Sequence, residues 1–146
     1  MKSIEEIIAV TGGWDELRRR PLKIEAPGFM PLNVEVISQR GPGGGLLLAV
    51  SHTYVQNGDV MRDPEIVAEI TPGSSDWLPI SFRQDNLGIL HEAVVSECGV
   101  FLFHHGLVAD LKKFMTFWDK NIREQGFIDA ARTATSQNRN PPDAGE

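Results

Sequence analysis

The chain has 146 residues, 41% of them hydrophobic and 23% charged, which is the balance of one globular domain with a sizeable core. Its net charge of -6 argues against a general nucleic-acid binder, because such a protein needs basic side chains to neutralise phosphates. A single cysteine, Cys98, excludes an internal disulfide and a zinc site built from cysteines. The N-terminus lacks an apolar signal core and no apolar run approaches the ~20 residues of a membrane span, so we predict a soluble, cytoplasmic protein.

The N-terminal segment is predicted to be helical. Residues 3–10 place three isoleucines on one face at helical spacing, and Ser3 with Glu6 has the pattern of a capping box. Residues 15–20 are predicted to add another turn or two, which Pro21 ends.

The middle of the chain has the pattern of short strands joined by turns, which favours antiparallel pairing. Residues 46–55 are apolar on both faces at first, which indicates a central strand. The glycine-rich run 41–45 is predicted to be a flexible hairpin loop, because a phosphate-binding loop would need a Gly-Lys-Ser/Thr ending and a following helix. Pro79 lacks a backbone donor and predicts an edge strand or a bulge. Residues 87–95 are predicted to be one strand, with a tight reversal at 97–99.

The C-terminal part is predicted to contain the longest helix, roughly Leu107–Gln125, with Gly126 as its stop. Residues 127–133 continue as a short helix, and the polar residues 134–146 predict a disordered tail. We therefore predict a single α+β domain over residues 1–133. Its architecture is an antiparallel sheet of about five or six strands, with the N- and C-terminal helices packed on one face.

The densest group of polar side chains lies between two predicted central strands, in a predicted loop from Gln56 to Pro64. Its oxygen ligands alternate as in a site for a hard cation, but the run departs from an EF-hand at the third ligand position. Local turn structure explains the same residues, so we predict no metal site, no cofactor and no catalytic residue. The candidate binding residues are those of the loop and two neighbours from the following strand: Gln56, Asn57, Asp59, Arg62, Asp63, Glu65, Trp77 and Arg83.

An enzyme is the first alternative. His52 and His91 lie in strands that could be neighbours. With Asp59 they could form a pair that acts as a catalytic base or a pair that binds a metal ion. A small hydrolase or metal-dependent enzyme would then use Asp59, Asp63 and His52. Nothing in the sequence fixes that convergence.

Four motifs of the chain carry a family resemblance: Gly12-Gly13-Trp14, residues 56–65, Trp77-x-Pro79 and Trp118-x-x-Asn121-x-x-x-Gln125-Gly126-Phe127. They resemble those of a family of small uncharacterised bacterial proteins carried on plasmids, integrative elements and prophages. The resemblance covers most of residues 4–132 and is most specific in the block from Asn57-Gly58-Asp59 to Asp63-Pro64-Glu65. It implies a mobile-element context, often near antirestriction and DNA-transfer genes, and it implies no activity.

Together these observations favour a non-enzymatic accessory protein of a mobile element that acts by protein–protein binding. An acidic surface suits the basic nucleic-acid groove of a host-defence or DNA-processing protein. A second alternative is a module for single-stranded nucleic acid, with Trp77 and Tyr54 as exposed stacking aromatics, although the acidic balance disfavours it. The oligomeric state stays open, and the Pro79 edge leaves room for strand-mediated dimerisation.

Overall fold

The computed structural model describes residues 1–139 and confirms the predicted α+β class. Six antiparallel strands form one sheet in which every strand pairs with its neighbour in sequence, in the order β1-β2-β3-β4-β5-β6. A separate hairpin pairs β7 with β8. The strands are β1 Leu22–Ile24, β2 Leu32–Ser38, β3 Leu46–Gln56, β4 Asp59–Ile70, β5 Trp77–Gln84, β6 Ile89–Glu92, β7 Val94–Glu97 and β8 Val100–Phe103. The α-helices are α1 Lys2–Val10, α2 Trp14–Arg19, α3 His105–Glu124 and α4 Phe127–Arg139, and a one-turn 3₁₀ helix spans Asp85–Leu87.

The core lies between one face of the six-stranded sheet and the terminal helices. Alternation along the strands sends Val50 and Ile66 to this face as a cross-strand pair, and both are fully buried. The helices contribute the predicted isoleucine face of α1 and a stripe along α3 that includes Trp118 and Ile122. Because these helices share one face, no helix within residues 1–139 covers the opposite face of the sheet, which is called here the open face.

The central position of β3 between β2 and β4 is as predicted. Pro79 lies in β5, which pairs on both sides and is not an edge strand. The register shift between β4 and β5 falls beside Pro79, so the predicted bulge is present.

The glycine-rich run 41–45 is more ordered than a flexible loop. The backbone N–H of Gly43 donates to both carboxylate oxygens of Glu69, each at 2.7 Å. Glu69 is itself buried at the edge of this loop. The loop therefore folds over a carboxylate from β4, a contact between residues 26 positions apart in sequence.

The structure departs from three local predictions, and tertiary contacts explain the first two. Ser3 does not cap α1: it lies inside the helix, and its backbone N–H and hydroxyl both donate to Asp119 of α3. The predicted strand 87–95 is broken at the buried Ala93, where the chain passes from one sheet to the other: its N–H donates to the Ile80 carbonyl of β5, and its carbonyl accepts the N–H of His104. The helix α4 continues to Arg139, so residues 134–139 of the predicted tail are helical; the remainder of that prediction lies outside the described residues.

The long predicted helix is present as α3, and Gly126 ends it with a φ of +87°, as its sequence position predicts. Its N-terminus is capped by His104, whose Nδ1 accepts the N–H of Leu107 at 2.9 Å. Within residues 1–139, no helix combines the length and the apolarity that crossing a membrane requires.

Candidate functional site

The predicted loop from Gln56 to Pro64 is a tight β-hairpin. Strand β3 runs to Gln56, which pairs with Asp59, and only Asn57 and Gly58 lie outside the strands. Both turn residues have positive φ, +52° and +83°, which is the conformation that two-residue hairpin turns require and that Asn-Gly adopts readily. The prediction of a long loop was wrong because the strands keep their ladder up to the turn.

A bulge in β4 decides where the charged side chains point. Ser51 pairs with Glu65, but Thr53, two residues further along β3, pairs with Arg62, three residues back along β4. In a regular strand, residues three apart point to opposite faces. The extra residue of the bulge instead brings Arg62 and Glu65 to the open face together, where Arg62 Nε lies 3.0 Å from Glu65 Oε2.

Strand β5 and the 3₁₀ helix complete an ionic network on the same face. Arg83 pairs with Glu65 across the ladder, and its Nε donates to Asp85 Oδ1 at 2.5 Å. The second oxygen of Asp85 accepts the backbone N–H of Arg62 at 2.9 Å. The hydrogen bond from Arg62 N–H, with that from Arg83, lowers the pKa of Asp85 below its ordinary value. We call Arg62, Glu65, Arg83 and Asp85 the β4–β5 network.

A hollow of about 370 Å³ opens beside this network on the open face. Glu65 is only 19% exposed there, and burial raises the pKa of its carboxyl, while Arg62 and Arg83 oppose that rise. The hollow is lined by two cationic side chains, two carboxylates and several neutral hydrogen-bonding groups. Because the charges balance, the hollow suits a ligand that makes specific polar contacts better than one attracted only by net charge. Its lining is Pro21, Leu22, Lys23, Asn33, Glu35, Ala49, Ser51, Thr53, Val60, Arg62 and Glu65.

The predicted binding residues fall into three groups. Arg62, Glu65 and Arg83 converge in the network, while Gln56, Asn57 and Asp59 are exposed at the hairpin tip next to it. Asp63 lies in the bulge and accepts a hydrogen bond from Gln84 Nε2 at 2.8 Å. Sequence reasoning missed Asp85 and Glu35, which reach this face from outside the β3–β4 hairpin.

The prediction that Trp77 neighbours the hairpin was wrong. Trp77 pairs with Ile70 at the far end of β4, is 4% exposed, and its Nε1 donates to Glu5 at 3.3 Å. Burial in the core also removes Trp77 as the stacking surface expected of a single-strand nucleic-acid module.

The histidine group expected for an enzyme does not assemble. His52 is buried on the helix face, where its Nδ1 lies 3.2 Å from the Met30 carbonyl and its ring packs against Trp118 and Phe127 at centroid distances of 5.5 and 5.4 Å. This burial lowers the pKa of His52. His91 is on β6, three strands away, and pairs with Phe82. In the described part of the chain, no three His, Cys, Asp or Glu side chains form a group that could bind a metal ion.

The fold and the network define an α+β protein with a meander sheet, covered by helices on one face and polar on the other. The family model described as Domain of unknown function (DUF6908) matches residues 2–128, and the chain belongs to that family. No curated protein and no solved structure matched the chain.

Proposed function

We propose that this protein is a non-enzymatic, cytoplasmic accessory protein of a mobile genetic element that acts by binding another protein. The contact surface in this proposal is the open face around the β4–β5 network together with the tip of the β3–β4 hairpin. The observation that carries it is the bulge in β4, which turns Arg62 and Glu65 to the same uncovered face, where Arg83 lies opposite Glu65.

The arrangement suits recognition of a protein surface. Arg83 keeps 45% of its side chain exposed and Arg62 39%, so both guanidinium groups can exchange an internal carboxylate for one on a partner. Glu65 holds the Arg62 guanidinium in place and Asp85 holds that of Arg83 before a partner binds, which lowers the entropic cost of binding. The exposed tip residues Asn57 and Asp59 extend this surface beyond the sheet.

The partner class follows from charge and context. A net charge of -6 favours approach to a basic surface, and the nucleic-acid groove of a host-defence or DNA-processing protein is such a surface. The family resemblance described from the sequence points to the same mobile-element setting. The proposed outcome of binding is inhibition of that protein by occupation of its groove.

The test compares two equally exposed arginines, each of which pairs with a carboxylate. Arg83 is 45% exposed beside Asp85, and Arg123 of α3 is 46% exposed beside Glu6 on the helix side. A partner captured from the native host is identified and purified, and its Kd is measured for the wild type, Arg83→Glu and Arg123→Glu. We expect Arg83→Glu to weaken binding by about tenfold or more and Arg123→Glu to leave it within about twofold.

Two results would overturn the surface assignment: equal weakening by both variants, or no change with Arg83→Glu while circular dichroism shows the variant folded. A photo-crosslinker at Asp59 gives an independent readout, with Lys120 of α3 as its control position. Crosslinking to the same partner from Asp59 and not from Lys120 is the expected outcome.

A further inference from the structure

The β7–β8 hairpin carries an unusual exposed strand. All four residues of β8 are large and hydrophobic, and each keeps between 43% and 59% of its surface exposed: Val100, Phe101, Leu102 and Phe103. Phe101 and Phe103 lie on one face of the hairpin, and Val100 and Leu102 on the other. The strand therefore exposes large apolar side chains on both faces of the hairpin.

This strand also has an unprotected edge. In the described part of the chain β8 pairs only with β7, so its outer N–H and C=O groups have no strand partner. Exposed edges are normally blocked by a charge, a proline or a bulge, and β8 has none of these. A two-stranded hairpin is also only marginally stable by itself, so additional strands would stabilise it.

The base of the hairpin is anchored to the body of the protein. The N–H of His104 donates to the Ala93 carbonyl at 2.8 Å, and Ala93 in turn donates to Ile80 of β5 at 2.7 Å. His105 stacks on Phe103, with ring centroids 6.4 Å apart and planes 14° apart. The apolar strand is therefore held in place for association.

We propose that β8 pairs antiparallel with β8 of a second copy of this chain, forming a dimer through a continuous four-stranded sheet. Such a dimer has a two-fold axis perpendicular to the sheet, which passes through either a Phe101–Phe101 or a Leu102–Leu102 pair. Both registers put phenylalanines of the two copies on one face and valine and leucine on the other, so the strand is complementary to itself.

Charge does not oppose the pairing of two copies. Glu97, at the tip of the hairpin, belongs to β7 and lies one strand away from the proposed interface. β8 itself has no charge that would oppose the second copy, despite the net charge of -6.

The surface area that β8 can bury sets the expected affinity of the dimer. Four-residue edges bury well below the ~1,200 Å² total of a standard stable interface, so the dimer should be weak and concentration-dependent. Sedimentation equilibrium over a range of concentrations tests this for the wild type, Phe101→Glu and Phe117→Glu. Phe117 is a matched control, since it is a phenylalanine on α3 with 62% exposure.

We expect Phe101→Glu to weaken self-association by about tenfold or more and Phe117→Glu to leave it within about twofold. A wild type that stays monomeric at the highest concentrations overturns the proposal, and so does a dimer unaffected by Phe101→Glu in a variant with wild-type circular dichroism. This assay contains only the one purified chain, so its failure leaves the partner-binding proposal standing.

The one native cysteine gives a geometric check. Cys98 is exposed in the hairpin turn and accepts a nitroxide label without further mutation. Cys98 lies three residues from the two-fold axis in one register and four in the other. The two Cys98 residues are on opposite sides of the axis, so their backbones are separated by roughly 20–27 Å. A narrow electron–electron distance near this value, lost in Phe101→Glu, supports β8 pairing. A dimer whose labels are much closer or much farther apart overturns it.

Discussion

Alanine at Gly41 should destabilise the protein through one identifiable contact. A Cβ at Gly41 would overlap the Glu69 carboxylate, with the Glu69 Cδ only 2.7 Å away. Gly41 does not have a positive φ, so backbone strain adds nothing. Glu69 would have to move and release the Gly43 N–H, whose bonds to the carboxylate are 2.7 Å long. A hydrogen bond to a charged acceptor contributes about 1.5–3 kcal/mol, so we expect Gly41→Ala to lower the free energy of unfolding by about 2 kcal/mol.

A double-mutant cycle isolates the cause. The free energy of unfolding of each variant is measured by urea denaturation, with tryptophan fluorescence as the signal. In a Glu69→Ala background the obstructing side chain is gone, and Gly41→Ala should be neutral or stabilising by about 0.5 kcal/mol. The coupling free energy between the two positions should therefore be about 2 kcal/mol. Gly45→Ala is the control, because its Cβ would lie 2.6 Å from the backbone oxygen of Ile70, which Glu69→Ala does not remove.

Equal costs of Gly41→Ala in the two backgrounds would refute this reasoning. So would complete relief of the Gly45→Ala cost by Glu69→Ala, which removes only the 3.2 Å contact of that Cβ with Glu69 Cγ. Either result would mean that the glycine-rich run tolerates or rejects side chains for reasons other than its contact with the carboxylate.

Two further predictions concern buried polar groups. Burial lowers the pKa of His52 below its ordinary 6.5, so the unfolded chain binds a proton that the folded chain rejects; the free energy of unfolding should fall as pH drops from neutral through 6.5 and level off below the folded-state pKa. Urea titrations across this range should show a smaller loss for His52→Gln, and an identical pH dependence would exclude His52 as the cause. Asp119→Ala leaves both the N–H and the hydroxyl of the buried Ser3 unpaired and should cost about 2–3 kcal/mol, whereas Ser3→Ala removes only the hydroxyl and should cost about 1 kcal/mol. Thermal unfolding of the two variants compares them directly, and a larger loss in Ser3→Ala would contradict the assignment.

The sequence by itself determined the elements whose signals are local. Alternation of Ile66, Ala68 and Ile70 with Glu65, Val67 and Glu69 predicts which face of β4 is buried, because side chains of a strand point to the two faces in turn. Asn57-Gly58 predicts a turn and Gly126 a helix end, since each supplies a positive φ that most residues avoid. The class of fold and the chain order of its main helices and strands follow from such signals.

Only the tertiary structure decided which distant residues meet. Arg62 and Glu65 reach one face through a bulge that the β3–β4 register imposes, and Asp85 joins them from beyond β5. Trp77 lies at the far end of β4 and away from the hairpin because of the β4–β5 register. The physical reason is the same in each case: a local pattern records whether a side chain is buried, whereas strand register and packing across the sheet determine what it contacts.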